Sequence, residues 1–183
     1  MIYPVLMYGN QSLRKKAEEI DENYENLQEI IKNLWETMYG ADGIGFAAPQ
    51  AGISIRIFVI DGAAIAKDYP ELKNFKKVFI NAKITEMNGE PVNQQEGCLS
   101  VPGIREDVTR PKRIRIVYYD ENFKLHDEVF DDQRARIIQH EYDHIEGKLF
   151  IDHLSPLRKR LIKGKLSSII LGKTKVNYRV KLP

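Results

Sequence analysis

Two histidines four residues apart constrain this 183-residue chain more than any other feature: His140 and His144, in the run His140, Glu141, Tyr142, Asp143, His144. The apolar spacing around them predicts a helix from Gln133 to Glu146, stopped by Gly147. Four residues advance a helix by about 400°, so the two imidazoles project from one face within reach of a single ion. Glu141 lies about 100° round from His140, near enough to hold a metal-bound water without entering the coordination sphere. That is a geometry for hydrolysis.

A catalytic metal site needs a third protein ligand and an open position. Downstream the chain reads HEYDHIEGKLF, with Phe150 where one extended protease motif has its third histidine, and no Asp or Glu follows Asp152. The ligand therefore comes from upstream or from His153. The sharpest upstream candidate is Cys98, the only cysteine, within Glu96, Gly97, Cys98, Leu99, Ser100. A thiolate is a strong ligand for ferrous iron or zinc, whereas a free cysteine is otherwise a small buried hydrophobe. A structural zinc site is disfavoured, because such sites use four protein ligands rich in cysteine. His126 reads as an outward position on a hairpin and His153 as a surface residue or a partner of a ligand.

One cysteine cannot form an internal disulfide, no secretory signal opens the chain, and no apolar run reaches the roughly 18 to 20 residues of a membrane span. The expectation is a cytoplasmic protein that does not enter a membrane. With 43% hydrophobic and 30% charged residues the composition is that of a folded chain. The formal charge of +2 is a sum over two unlike regions. Residues 1–152 hold 19 basic and 26 acidic side chains, and residues 153–183 hold nine basic and no acidic ones.

With no linker or repeat, residues 1–183 read as one catalytic domain, with 153–183 a basic helix and tail packed on it or extending from it. Leu27, Ile30, Ile31, Leu34 and Met38 predict an amphipathic helix ending near Gly40, capped by Asp21 or Asn23. Strands are predicted at Ile53–Ile60 and Val78–Met87, and a hairpin pairs Ile114–Tyr119 with Lys124–Phe130. Ser155 and Pro156 predict the start of a third helix. The fold class is α+β: mixed or antiparallel strands around a central HExxH helix, with an N-terminal amphipathic helix and a C-terminal helix.

Three segments, GIGFAAPQ (Gly43–Gln50), EGCLS (Glu96–Ser100) and QHEYDH (Gln139–His144), in this order resemble the three motifs of the bacterial, metal-dependent peptide deformylases. The likeness runs from Leu13 and Arg14 through Phe150. It implies a hydrolase of protein biosynthesis that removes the formyl group from the N-terminal formylmethionine of nascent polypeptides and releases formate. By this resemblance Cys98, His140 and His144 hold one divalent metal ion, Fe2+ in the native form and Zn2+ or Ni2+ in isolated protein. Glu141 is then the general acid/base while metal-bound water attacks the formyl carbon. Gln50 and the Leu99 N–H face the formyl oxygen, Gly45 aligns the substrate backbone, Arg105 contacts substrate, and Asp42 and Arg110 form a structural ion pair.

The residue chemistry agrees. Neutral donors such as Gln50 and the Leu99 amide suit a developing oxyanion, each typically contributing about 10² to 10³ in rate. Gly43 and Gly45 permit close approach of a peptide main chain. Ile44 and Ile137 suit a methionine side chain, with Gln133 making the rim more polar. The basic tail suggests an amphipathic helix with one cationic face that contacts the ribosome, or equally a solvated helix on the body. A monomer is expected. Another metal-dependent amidase or peptidase, and a non-catalytic metal- or RNA-binding module, remain as alternatives.

Overall fold

The computed structural model describes residues 1–183. Its elements are β1 (Val5–Leu6), α1 (Leu27–Gly40), β2 (Gly45–Ala47), β3 (Ile57–Asp61), β4 (Lys76–Cys98), β5 (Val101–Tyr119), β6 (Leu125–Asp131), α2 (Asp132–Ile145), α3 (Pro156–Ile170) and β7 (Val180–Lys181). Strands β2 to β6 form one antiparallel sheet in chain order, and β1 pairs in parallel with β7. This is the α+β class read from the sequence, with three helices.

The apolar stripe of α1 buries Leu27, Ile31, Leu34 and Met38, spaced to return to one helix face. The helix begins after Asn26, at φ +58°, rather than at Asp21 or Asn23. Asparagine tolerates that left-handed backbone better than most residues do. The strand expected at Ile53–Ile60 starts only at Ile57, because Ser54 and Ile55 belong to a connection that bridges to Glu18. The strand expected to end at Met87 continues to Cys98. Its Asn88–Gln95 portion is mostly exposed and is held by backbone pairing with β5 rather than by an apolar face. The 114–130 hairpin forms as expected, with Tyr119 opposite Leu125.

Apolar side chains gather in two clusters. One joins α1 to Phe46, Ile57, Val59, Ile80, Phe150, Ile162 and Ile169. The other seats Ile137, Ile138 and Ile145 of α2 against Phe58, Ile60, Phe79, Ile116 and Tyr118, where Phe79 stacks on Phe58 at 4.7 Å between centroids. Each fully buried isoleucine contributes about 1.5 to 3 kcal/mol. Burying that face of α2 fixes the helix's rotation, and so the direction in which His140, Glu141 and His144 point.

Helix α3 begins at Ser155, whose hydroxyl accepts from the Arg158 N–H, with Pro156 in the first turn. Its apolar contact is narrow. Ile162 and Ile169 are buried, while Leu157, Leu161 and Ile170 are exposed beside the lysines and arginines, so the single cationic face expected of it is instead a cationic surface interrupted by leucines. Beyond it, Gly172 (φ +66°) turns the chain back to pair with β1.

Candidate functional site

Sequence-distant segments converge on one cavity of about 1100 Å³. Helix α2 contributes Ile137, His140 and Glu141, the end of β4 Cys98, the turn after it Leu99, the β2 region Gly43 to Gly45, and the turn after β2 Gln50. The ligand atoms of Cys98, His140 and His144 lie within 4.8 Å of one another. That is close to the span two ligands reach when each sits about 2.0 to 2.3 Å from one ion.

The surroundings prepare these atoms. His140 Nδ1 is 2.9 Å from Glu96 Oε2, and a proton held there leaves Nε2 with its lone pair turned toward the sulfur. His144 Nε2 sits 3.4 Å from Cys98 Sγ. Burial pushes the Cys98 thiol up, but the imidazoles of His144 and His140 outweigh burial and bring it down to about 5. A sulfur that is thiolate at neutral pH beside two imidazoles is a donor set for a divalent transition metal rather than for magnesium or calcium. Glu141 Oε2 is buried with no hydrogen-bond partner in the protein, as expected where a polar atom faces a group the protein alone does not supply. The residues fit a metal ion.

Burial raises the Glu141 carboxyl to about 7, against the lowering pull of His140 and His144. Glu141 packs directly on Gly45. A Cβ at that glycine would come within 2.7 Å of the carboxyl carbon, so Gly45 makes room for the acid as well as for any incoming chain. The Gln50 carbonyl accepts the Ala47 N–H at 2.9 Å. Its amide nitrogen is thereby turned inward, 3.1 Å from Ser100 Oγ and 3.5 Å from Cys98 Sγ. The Leu99 N–H has no acceptor within the protein.

Glu96, quoted in the motif but given no role there, is the hub behind the site. It accepts from Arg110 Nε at 2.7 Å, Arg110 Nη2 at 2.9 Å and Arg136 Nη1 at 2.7 Å, besides meeting His140. Burial raises its carboxyl, but these partners hold it far below the usual carboxylate range. The expected pairing of Asp42 with Arg110 does not occur. Arg110 points into the protein toward Glu96 and Asp143, while Asp42 is exposed at φ +54° beside the cavity. His153 meets Asp143 at 2.7 Å and so acts behind the site, whereas His126 meets Asp120 on the hairpin.

Arg105 is exposed on the cavity wall with no ion pair, and Ile44, Ile137 and Gln133 line the cavity as expected. Ile65, Tyr69 and the Lys175–Tyr178 segment line it too. Nothing in their local sequence signals this, because the chain folds them in from turns and from its far end.

The family model described as polypeptide deformylase matches residues 2–160. The peptide deformylase of Christiangramia forsetii is 50% identical over 190 residues, covering 100% of this chain and 97% of that protein. That of Flavobacterium johnsoniae is 51% identical over 188 residues, covering 99% and 96%. Among solved structures, a peptide deformylase from Legionella pneumophila superposes with a TM-score of 0.82 at 36% identity, covering 96% of this chain and 99% of that one. The enzyme from Thermus thermophilus gives 0.81 at 34%, covering 92% and 98%.

Proposed function

Since the chain belongs to the polypeptide deformylase family, a family of enzymes, we propose that it removes the formyl group from the N-terminal formylmethionine of nascent polypeptides in the cytoplasm, with residues 1–183 working as one catalytic unit. The observation that carries the mechanism is the convergence of Cys98, His140 and His144 beside a buried Glu141. We assign these three as the ligands of one divalent ion, Fe2+ in the native enzyme with Zn2+ or Ni2+ able to replace it. When bound, such an ion supplies a Lewis acid that makes water nucleophilic near neutral pH.

The chain's own residues do the rest. Glu141, with a carboxyl near neutrality, takes a proton from the attacking water and gives it to the departing amine. The Gln50 amide and the Leu99 N–H are the donors for charge developing on the formyl oxygen; both are held before substrate arrives, which is what gives such donors their effect. The formyl-Met peptide runs extended along β2, the edge strand of the sheet, with Gly45 beside its backbone and its side chain against Ile44 and Ile137. Arg105 meets the peptide at the cavity mouth.

Anaerobic purification with metal analysis, alongside formate release from formyl-Met peptides, tests this reading. Turnover in the metal-replete enzyme and its loss in Glu141→Ala with metal retained are expected. A metal-replete protein without formate release would overturn it.

The exposed, ion-pair-free Arg160, Lys163 and Lys165 of α3 support contact with the ribosome; that the protein acts there as a monomer is part of the same proposal. Charge reversal at these three positions should abolish co-sedimentation with ribosomes at low salt, and unchanged co-sedimentation would refute the contact.

A further inference from the structure

The C-terminal segment lies outside the 2–160 span that the family model matches, yet it returns to the catalytic cavity. Three hydrogen bonds and one close fit dock it. Val5 N–H donates to Arg179 O at 2.9 Å, Met7 N–H to Lys181 O at 3.0 Å, and Asn10 Nδ2 to Lys181 O at 3.0 Å. Gly9, at φ +103°, leaves the space that Pro183 fills, since a Cβ there would lie 2.6 Å from the proline ring. Between this anchor and α3, Lys175, Val176, Asn177 and Tyr178 line the cavity.

Within that wall, Tyr178 Oη donates to the Leu99 carbonyl at 2.8 Å. Leu99 and Ser100 form the short turn joining β4 to β5. The next carbonyl, that of Ser100, accepts the Tyr8 N–H at 2.8 Å. The turn is therefore tied by both of its carbonyls, that of Leu99 one peptide and that of Ser100 two peptides beyond the unit that carries the free Leu99 N–H and the Cys98 Cα. Each tie restrains the rotation of Leu99 about its own backbone, and so the direction of that N–H. Burial, with the Cys98 charge adding to it, raises the Tyr178 phenol to about 12, which keeps it a donor throughout the neutral range.

We propose that Tyr178 is a positioning residue for the reaction: through its hydrogen bond to Leu99 O it holds the β4–β5 turn so that the Leu99 N–H faces the formyl oxygen in the transition state. The proposal rests on the deformylase reading above. Tyr178 touches no reacting atom. An oxyanion donor loses its value when misdirected, because its contribution depends on being oriented beforehand, so the bond is felt in kcat rather than in ground-state binding.

Tyr178→Phe removes the hydroxyl and keeps the ring in the wall. The expected result is a fall in kcat of about three- to tenfold, the range that losing one neutral hydrogen bond allows, with KM for a formyl-Met peptide changed less than twofold and metal content unchanged. Tyr178→Leu, which also opens the wall, should lower kcat at least as far and raise KM as well. Melting temperatures are measured in parallel. Unchanged kcat in Tyr178→Phe alongside an active wild type overturns this inference and leaves the deformylase reading standing. A loss of kcat accompanied by a drop of several degrees in Tm, or by an equal rise in KM, makes Tyr178 a general structural residue and overturns it too. A metal-replete wild type that releases no formate overturns both.

Discussion

Arg110 and Glu96 meet inside the protein in a two-pronged pair, Nε to Oε1 at 2.7 Å and Nη2 to Oε2 at 2.9 Å, with side chains only 4% and 6% exposed. The remaining Arg110 nitrogen, Nη1, reaches Asp143 at 2.9 Å. One guanidinium thus compensates two buried carboxylates, of which Glu96 orients His140. Removing one partner of a buried pair costs about 3 to 5 kcal/mol, because the charge left behind stays out of water. Arg110→Ala is expected to lose stability of that order in urea denaturation and to bind metal more weakly. Arg110→Lys keeps the charge but cannot reproduce the fork, so it should fall between the two.

This network was the least legible part of the site. His140 and His144 declare themselves because helical periodicity is local, and Ser155–Pro156 marks a helix start for the same reason. Arg110 lies 14 residues from Glu96 and 33 from Asp143; in the β4–β5 ladder it stands opposite Val92 rather than Glu96, and Asp143 is on α2, so only the packing of that helix against the two long strands brings the three together. The same ladder explains why β4 extends past Met87. Asn88–Gln95 has no apolar alternation, and neighbouring backbone supplies what the sequence pattern lacks. Tyr178 meets Leu99 across 79 residues, beyond the reach of any motif.

Stability should respond to acid through Glu146, which pairs with the buried Arg56 at 2.7 Å. Burial raises the Glu146 carboxyl, but the Arg56 hydrogen bond and charge outweigh it, so the folded value lies below the ordinary 4.5. A depressed carboxyl contributes stability that is complete above the unfolded value and is lost as pH falls through the folded one. Unfolding free energy should therefore decline as pH drops below about 5. In Arg56→Leu that decline should be shallower, because Glu146 then titrates closer to its unfolded value. Urea midpoints of both proteins, measured at several pH values at equal metal loading, provide the check. Parallel slopes would refute the assignment.

Metal removal offers a separate test of the ligand set. A ligand bound only by the folded state stabilises it by RT ln(1 + [L]/Kd), about 4 kcal/mol at a thousandfold excess over Kd. Chelation should accordingly lower the melting temperature of the wild type by several degrees. Cys98→Ser replaces a sulfur prepared as thiolate with a hydroxyl that stays protonated. It should be isolated with far less metal, and chelator should leave its melting curve nearly unmoved. Equal metal content in the variant and the wild type would remove Cys98 from the ligand set.

Gly45 supplies the sharpest steric prediction. Its φ is not in the left-handed region, so alanine fits the backbone, and the consequence of Gly45→Ala falls on the neighbour. A Cβ would sit 2.7 Å from the Glu141 carboxyl carbon and 2.8 Å from its Cγ, and Glu141 is itself buried, so the acid must move. General acid–base groups contribute typically about 10² to 10⁴ in rate, and a displaced one forfeits much of that. Gly45→Ala is expected to lose about 10- to 100-fold in kcat/KM while retaining metal. Gly43→Ala, whose Cβ would be 3.1 Å from the Leu99 side chain and 3.2 Å and 3.3 Å from the side chain and carbonyl of Met38, should lose less, because these contacts are tight rather than overlapping and none is to Glu141. If the Gly45 effect acts through Glu141, adding Gly45→Ala to Glu141→Ala should cost almost nothing further. Full additivity of the two substitutions would instead assign the Gly45 effect to the approach of the substrate backbone.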